Sequence, residues 1–246
     1  MWYKYKLYRW CVLMMIIRAK FKKVNDLIYI SHLDLMRLFQ RALRRAGIPV
    51  KYSEGFNPHP KLSFATALTL GVSSDGEYMD VELDSYVEIQ EFIERLNNVL
   101  PEGIRVLNAE YVQDKNSIMS LIRWSSYVIE IPLTEEISKE NVEAKISKLL
   151  NMDEILMIKE KRKGKKITIK QEDIRDKIRD LFVLVHDNNR IVLKTTLMTG
   201  SVGNLKPELL VEALIKYTDI KAIKEDVNIH RLELYIEKDN QITTPI

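Results

Sequence analysis

Apolar positions along the chain fall into short blocks that switch between strand and helix spacing. Residues 16–22 read as a strand. From Ser31 the period becomes helical, with Leu35, Phe39, Ala42 and Ala46 on one side. Ser31 followed by Asp34 reads as an N-cap with an acidic third residue, and Gly47 with Pro49 beyond it stops the helix. Apolar runs at residues 61–70 and 78–83 predict two strands joined by a hairpin-type connection over residues 71–76. Ile89, Phe92, Ile93, Leu96 and Leu100 then recur at helical spacing, Pro101 and Gly103 end that helix, and residues 104–112 read as a strand. The order β-α-β-β-α-β predicts an α+β sandwich of the ferredoxin-like type, with two helices on one face of an antiparallel sheet.

The second half repeats the theme with additions. Residues 127–132 read as a strand, 138–150 as a helix, and 155–161 with 165–170 as a hairpin turning at Lys163 and Gly164. Residues 182–186 and 191–197 form a second hairpin across residues 187–189. Residues 207–217 are a helix with Pro207 in its first turn, and 230–236 alternate as a last strand. The expected organisation is two ferredoxin-like βαββαβ halves in tandem, residues 15–116 and 124–246, the second carrying inserted hairpins. Residues 1–14 differ in character from the chain beyond Met15. They read as an N-terminal extension or upstream start, the alternative being a genuine N-terminal strand; the pattern of a secretory signal is not present.

A chain of 246 residues is long enough to bury a proper core, and 46% apolar with 30% charged residues describes a soluble globular protein without a membrane span. The single cysteine, Cys11, excludes a disulfide framework, a thiolate zinc site and an iron–sulfur cluster held by this chain alone. A cytoplasmic location is the simplest expectation. The net charge of +3 hides a local division. Residues 15–62 carry ten Lys or Arg against three acids, whereas residues 63–110 carry two arginines against ten acids. A further basic run covers residues 159–170. Such polarisation points to a polyanionic partner.

Arg37, Arg41, Arg44 and Arg45 recur on the side of the first helix away from its apolar face. Guanidinium groups suit bidentate phosphate contact; the plain alternative is a solvated face making weak ion pairs. The following loop brackets His59 between Pro58 and Pro60 and places Gly55 where a positive φ is allowed, so Lys51, Asn57, His59 and Lys61 join the arginines as nucleic-acid ligands. Lys163 and Lys165 in the basic hairpin are a second grip. His32, at the helix N-terminus, can meet a phosphate, act as a general acid or base, or simply pack in the capping region. Gly200, Ser201, Gly203 and Asn204 lie between a strand and a helix, where backbone amides can cradle a phosphate or form an ordinary turn; neither nucleotide-binding fingerprint is present. No metal-ligand spacing is seen, and no metal or cofactor is expected.

The stretches ISHLDLMRLFQRALRRAGIPVKYSEGFNPHPKLSFATALTLGVSSDGEYMDVEL, LNNVLPEGIRVL and TGSVGNLKPELL resemble the radical-SAM-linked protein family, whose members stand alone or are fused behind a radical-SAM enzyme domain. The resemblance covers residues 15–217. It implies a radical-SAM protein as partner, a setting near RNA-processing and ribosomal functions, and no known reaction. With one cysteine here, any radical chemistry belongs to another polypeptide. A looser likeness is to RAMP-type CRISPR endonucleases, with His32 and the loop at residues 200–203 as counterparts. The combined expectation is a cytoplasmic RNA-binding accessory protein that presents RNA, or a ribonucleoprotein, to a radical-SAM enzyme. The alternatives are a metal-independent RNA endonuclease using His32, and a module that docks a radical-SAM protein without nucleic acid.

Overall fold

The computed structural model describes residues 15–113, 116–163, 166–187, 189–239 and 241–246. The expectation for residues 1–14 lies outside them. Alternation in the first strand, β1 (Met15–Lys23), buries Ile17, Ala19 and Phe21 on one face. A short 3-10 turn, Asn25–Tyr29, leads to helix α1 (His32–Arg45). Ser31 caps it by accepting from the Asp34 amide at 3.1 Å, and Gly47 at φ +61° ends it. Strands β2 (Leu62–Phe64) and β3 (Ser73–Leu83), helix α2 (Ile89–Asn97) and strand β4 (Ile104–Val112) complete the first α+β unit. Its strands lie in the order β4-β1-β3-β2, all antiparallel.

Helices α1 and α2 cover one face of that sheet. Phe21, Phe39 and Phe64 form an aromatic cluster with centroids 4.9–5.9 Å apart, packed with Ile17, Met79, Val81, Phe92 and Leu96. The other face carries polar side chains. Arg18, 1% exposed, donates to both carboxylate oxygens of Asp80 at 2.8 and 3.1 Å and to the Pro245 carbonyl at 3.5 Å. Lys20 lies over the Tyr78 ring.

Two spans around β2 and β3 differ from the sequence expectation. Of the apolar run at residues 61–70, residues 61–65 are bonded to β3, the last through the Ala65 amide and the Tyr78 carbonyl at 2.9 Å; the chain then leaves the ladder and turns back at Val72, whose amide donates to the Thr69 carbonyl. Conversely, Ser73, Ser74 and Asp75, expected in a turn, open β3. Strand β1 continues to Lys23 and pairs it with Ser74 across a bulge, and the fully buried Ser74 hydroxyl accepts from the Gly76 amide at 3.1 Å. The partner strand overrides turn-forming composition there.

After a single helical turn, α3 (Ile118–Leu121), comes the second unit. It contains β5 (Ile122–Pro132), α4 (Lys139–Leu150), β6 (Leu156–Lys163), β7 (Lys166–Asp173), β8 (Ile178–Asp187), β9 (Arg190–Met198), α5 (Pro207–Thr218), β10 (Asn228–Lys238) and β11 (Gln241–Thr243). Its sheet runs β10-β5-β9-β8, again antiparallel, with β11 on β10, while β6 and β7 pair only with each other. Set the β6–β7 ribbon aside and this strand order matches that of the first unit, position for position. Helix α4 packs on α5 and β8. Strand β5 begins five residues earlier than expected because Ser125 and Ser126 are buried, and Ser125 hydrogen-bonds Thr199 across to the segment just after β9. By compactness one unit extends to Leu121 and takes in Thr244–Ile246; the other is Ile122–Thr243.

Candidate nucleic-acid interface

Helix α1 sorts its side chains by angle. Leu35, Phe39, Ala42 and Leu43 are buried, while Arg37, Arg41 and Arg44 are exposed in a stripe about 60° wide and nearly opposite them, at 3.6 residues per turn. Arg45 lies at the stripe's edge and is committed elsewhere, donating to the Val99 carbonyl at 2.6 Å. Arg37 donates to Asp34 at 3.2 Å in an open ion pair. The Ser31 hydroxyl, more than Arg37, holds the Asp34 carboxyl below the usual carboxylate range. Arg41 and Arg44 donate no hydrogen bond to another described residue. Below the stripe, Arg95 of α2 donates to the Ala46 and Gly47 carbonyls at 2.8 and 2.5 Å, and a Cβ on Gly47 would lie 2.8 Å from its guanidinium.

Residues 53–61, expected as a rigid loop, belong to a hairpin arm that spans residues 50–61. Val50 bridges to Leu83 and Tyr52 to Pro60. At the base, the Lys51 amide donates to the Glu82 carbonyl at 2.8 Å, the Glu82 amide to the Lys61 carbonyl at 3.0 Å, and the Lys61 amide to the Lys51 carbonyl at 2.8 Å. The Lys61 ammonium meets the Glu82 carboxylate at 3.1 Å. Higher up, the Ser53 amide donates to the His59 carbonyl at 2.8 Å, while the His59 amide donates to the Ser53 hydroxyl at 3.0 Å. Lys51 is half-buried, and Asn57 and His59 are exposed. At the tip, Gly55 takes φ +118° with open space around it. Beside it Phe56 is wholly exposed, at 111% of its reference area, and Tyr52 is 45% exposed. Periodicity does not mark Phe56. The available signal is an aromatic ring inside a Gly/Asn/Pro turn with no apolar neighbour to pack on.

His32 is placed differently. Its half-buried ring meets Phe64 edge-on, centroids 5.5 Å apart, and so extends the aromatic cluster of the core. No carboxylate is hydrogen-bonded to it among the described residues. Part of the charge division seen in the sequence is also absorbed internally. Arg18 pairs with Asp80, Lys61 with Glu82, and the buried Lys23 donates to the Ile28 and Ile30 carbonyls. Among the charges that remain outward is the arginine stripe.

In the second unit the glycine loop is occupied by its own packing. Gly200 has φ +117°, and a Cβ there would lie 2.4 Å from the Ile122 carbonyl oxygen. A Cβ on Gly203 would lie 2.4 Å from the Met198 sulfur. Ser201 and Asn204 are exposed, and Glu208 puts a carboxylate in the first turn of α5, where a phosphate would compete with it. Of the basic ribbon, Lys163 pairs with Lys166 in the β6–β7 register, while Lys165 lies outside the described residues. A groove of about 380 Å³ between α4 and β8, lined by Ile146, Leu150, Leu181 and Phe182 among others, has Glu143 as its one ionisable side chain. Among the described residues no three His, Cys, Asp or Glu side chains gather as a metal site, and no helix is long and apolar enough to cross a membrane.

No curated protein matches the chain. Solved structures do. One, described as a Cbf5-Nop10-Gar1 complex, aligns with a TM-score of 0.51 at 11% identity over 90% of this chain and 49% of that one. Another, an archaeal box H/ACA sRNP Nop10-Cbf5 complex, aligns at 0.47 and 11% over 89% and 47%. The chain thus spans about half the length of these matches, and what the first of them shares with it is fold. The model of a family described as an uncharacterized protein conserved in bacteria, DUF2344, matches residues 17–207, and the chain belongs to that family.

Proposed function

We propose that this protein binds RNA, gripping phosphates with Arg37, Arg41 and Arg44 and placing the arm of residues 50–61 against the strand they hold. The observation that carries the reading is the stripe: three outward guanidinium groups on one helix, with Asp34 the one acid on that helix to offset them. Binding of this kind draws on counterion release. The arm continues from the same helix, is cross-bonded at both base and tip, and gains rigidity from Pro58 and Pro60, so it loses little conformational entropy on docking. Its Lys51, Asn57 and His59 add donors, and Lys61, paired with Glu82, can join them by exchanging that carboxylate for a phosphate. The two halves are ferredoxin-like in this reading, and the fold shared with a protein of the Cbf5-Nop10-Gar1 complex accommodates RNA binding without supplying it. Lys163 and Lys165 on the ribbon serve as a secondary contact.

Within that role the protein presents RNA, or a ribonucleoprotein, to a radical-SAM enzyme on another chain. Resemblance alone supports this finer step. Cleavage by His32 has no comparable support, since its ring is packed against Phe64 with no second acid or base bonded to it among the described residues.

The test of binding is fluorescence anisotropy of the purified chain with labelled bulk bacterial RNA across a potassium chloride series. Affinity should fall linearly on a log–log plot as salt rises; absence of binding at low salt, or indifference to salt, contradicts the proposal. Capture of the tagged protein from bacterial cells should retain a radical-SAM enzyme, and losing that enzyme from every capture removes the finer step alone.

A further inference from the structure

Phe56 stands bare at the tip of the arm, and nothing in the first unit explains it as packing. A floppy loop would account for one exposed ring. This loop is not floppy: Ser53 and His59 are bonded to each other twice, Tyr52 and Pro60 are bridged beneath them, and Gly55 takes the turn that directs the tip. The ring is therefore held out with both faces open.

The surroundings say what kind of surface would cover it. Around Phe56 the tip has Ser53, Glu54, Gly55, Asn57, Pro58 and His59, of which the exposed Pro58 alone is apolar. An anchor for a protein pocket is normally ringed by neighbours that exclude water. A nucleobase needs only a flat ring, because each base has a π face to stack. Glu54 beside the ring disfavours a phosphate at the tip itself, and the arm's two lysines, Lys51 and Lys61, stand at its base. That division fits phosphates held lower down and a base at the tip. Tyr52, partly exposed on the same arm, offers a second ring.

We infer that Phe56 stacks on an unpaired base, so that the preferred ligand is single-stranded or looped RNA rather than a continuous duplex. The inference rests on the RNA-binding reading above and specifies its substrate class. Bases inside a duplex are already stacked on each other and, away from its end pairs, leave no face for the ring.

The experiment compares the parent, Phe56→Ala and Phe56→Trp on a single-stranded RNA containing 2-aminopurine and on a blunt RNA duplex. The expected result is a loss of about 5- to 150-fold on the single strand for Phe56→Ala, the range typical of one stacked base. Duplex affinity should be unchanged and Phe56→Trp should bind like the parent. The parent and Phe56→Trp should quench 2-aminopurine fluorescence, and Phe56→Ala should not. A parent that binds neither RNA overturns the RNA reading and this inference together. If the parent binds and Phe56→Ala binds the single strand equally well, the inference alone fails. Equal losses on both RNAs overturn it as well, since Phe56 would then be shaping the arm. Unchanged RNA affinity with loss of a captured protein partner would assign the tip to a protein pocket instead.

Discussion

Replacing Arg37, Arg41 and Arg44 together with Ala removes the stripe while leaving the buried side of α1 untouched, because all three side chains are exposed and, among the described residues, only Arg37 has an ion pair to lose. If each holds one phosphate of single-stranded RNA, log K loses about 0.7 per contact per tenfold change in salt, so the slope should become shallower by about 2. Referred to 1 M salt, where the electrostatic contribution vanishes, the variant should bind about 100-fold more weakly at 0.1 M and only about 4-fold more weakly at 0.5 M. The assay is anisotropy at several potassium chloride concentrations, with thermal unfolding to show that stability changes by no more than about 0.5 kcal/mol, as for ordinary surface substitutions. Arg45→Ala should instead leave the slope nearly unchanged, because that guanidinium is held by the Val99 carbonyl. A triple variant with parental affinity and slope refutes the stripe as the binding face. Equal weakening at every salt concentration would also refute the phosphate argument, since that pattern belongs to damaged structure.

Asp80→Asn should destabilise the protein by about 1.5–3 kcal/mol in denaturant unfolding, because Arg18 loses its charge-assisted bidentate bonds to that carboxylate; a loss under about 0.5 kcal/mol would contradict this. Gly200→Ala should cost more than Gly55→Ala. Both bring positive-φ strain of about 1–3 kcal/mol, but only Gly200 also drives a Cβ into the Ile122 carbonyl, so equal midpoint shifts would oppose the account. Asp173 is held below the normal carboxylate range chiefly by the Arg175 amide and next by the Ile155 amide. Its stabilising contribution is complete above the unfolded pKa of about 3.9 and is lost as pH falls through the lower folded value. Asp173→Asn should therefore flatten the fall in urea midpoint below about pH 4, and an unchanged acid profile would count against it.

Helix boundaries are readable because caps are local: Ser31, Ser138 and Pro207 stand where the helices begin, and Gly47 where α1 ends. Strand β4 coincides with its expected span for a similar reason, its ends being set by Pro101, Gly103 and the polar residues after Val112. Pairing over long range is less visible. Ser73, Ser74 and Asp75 have turn chemistry and become strand only because β1 extends to meet them. Residues 66–70 have strand chemistry but lack a partner ladder past Ala65. The functional face shows the same split. The arginine stripe follows from helical spacing, whereas the arm's hairpin form depends on Glu82, more than twenty positions beyond its base. The internal use of Arg18, Lys23 and Lys61 likewise cannot be told from their count. Phe56 escapes pattern reading because an aromatic residue in a turn breaks no spacing rule.

The most direct test of RNA binding through this face is to irradiate the purified protein with bacterial RNA, digest both, and identify crosslinked peptides by mass spectrometry. The account predicts crosslinks concentrated in residues 51–61, with Phe56, Tyr52 or His59 the modified positions, and their loss in the Arg37, Arg41 and Arg44 triple variant. Crosslinks confined to other segments, or an RNA-free protein under conditions that crosslink a known RNA-binding control, would contradict it.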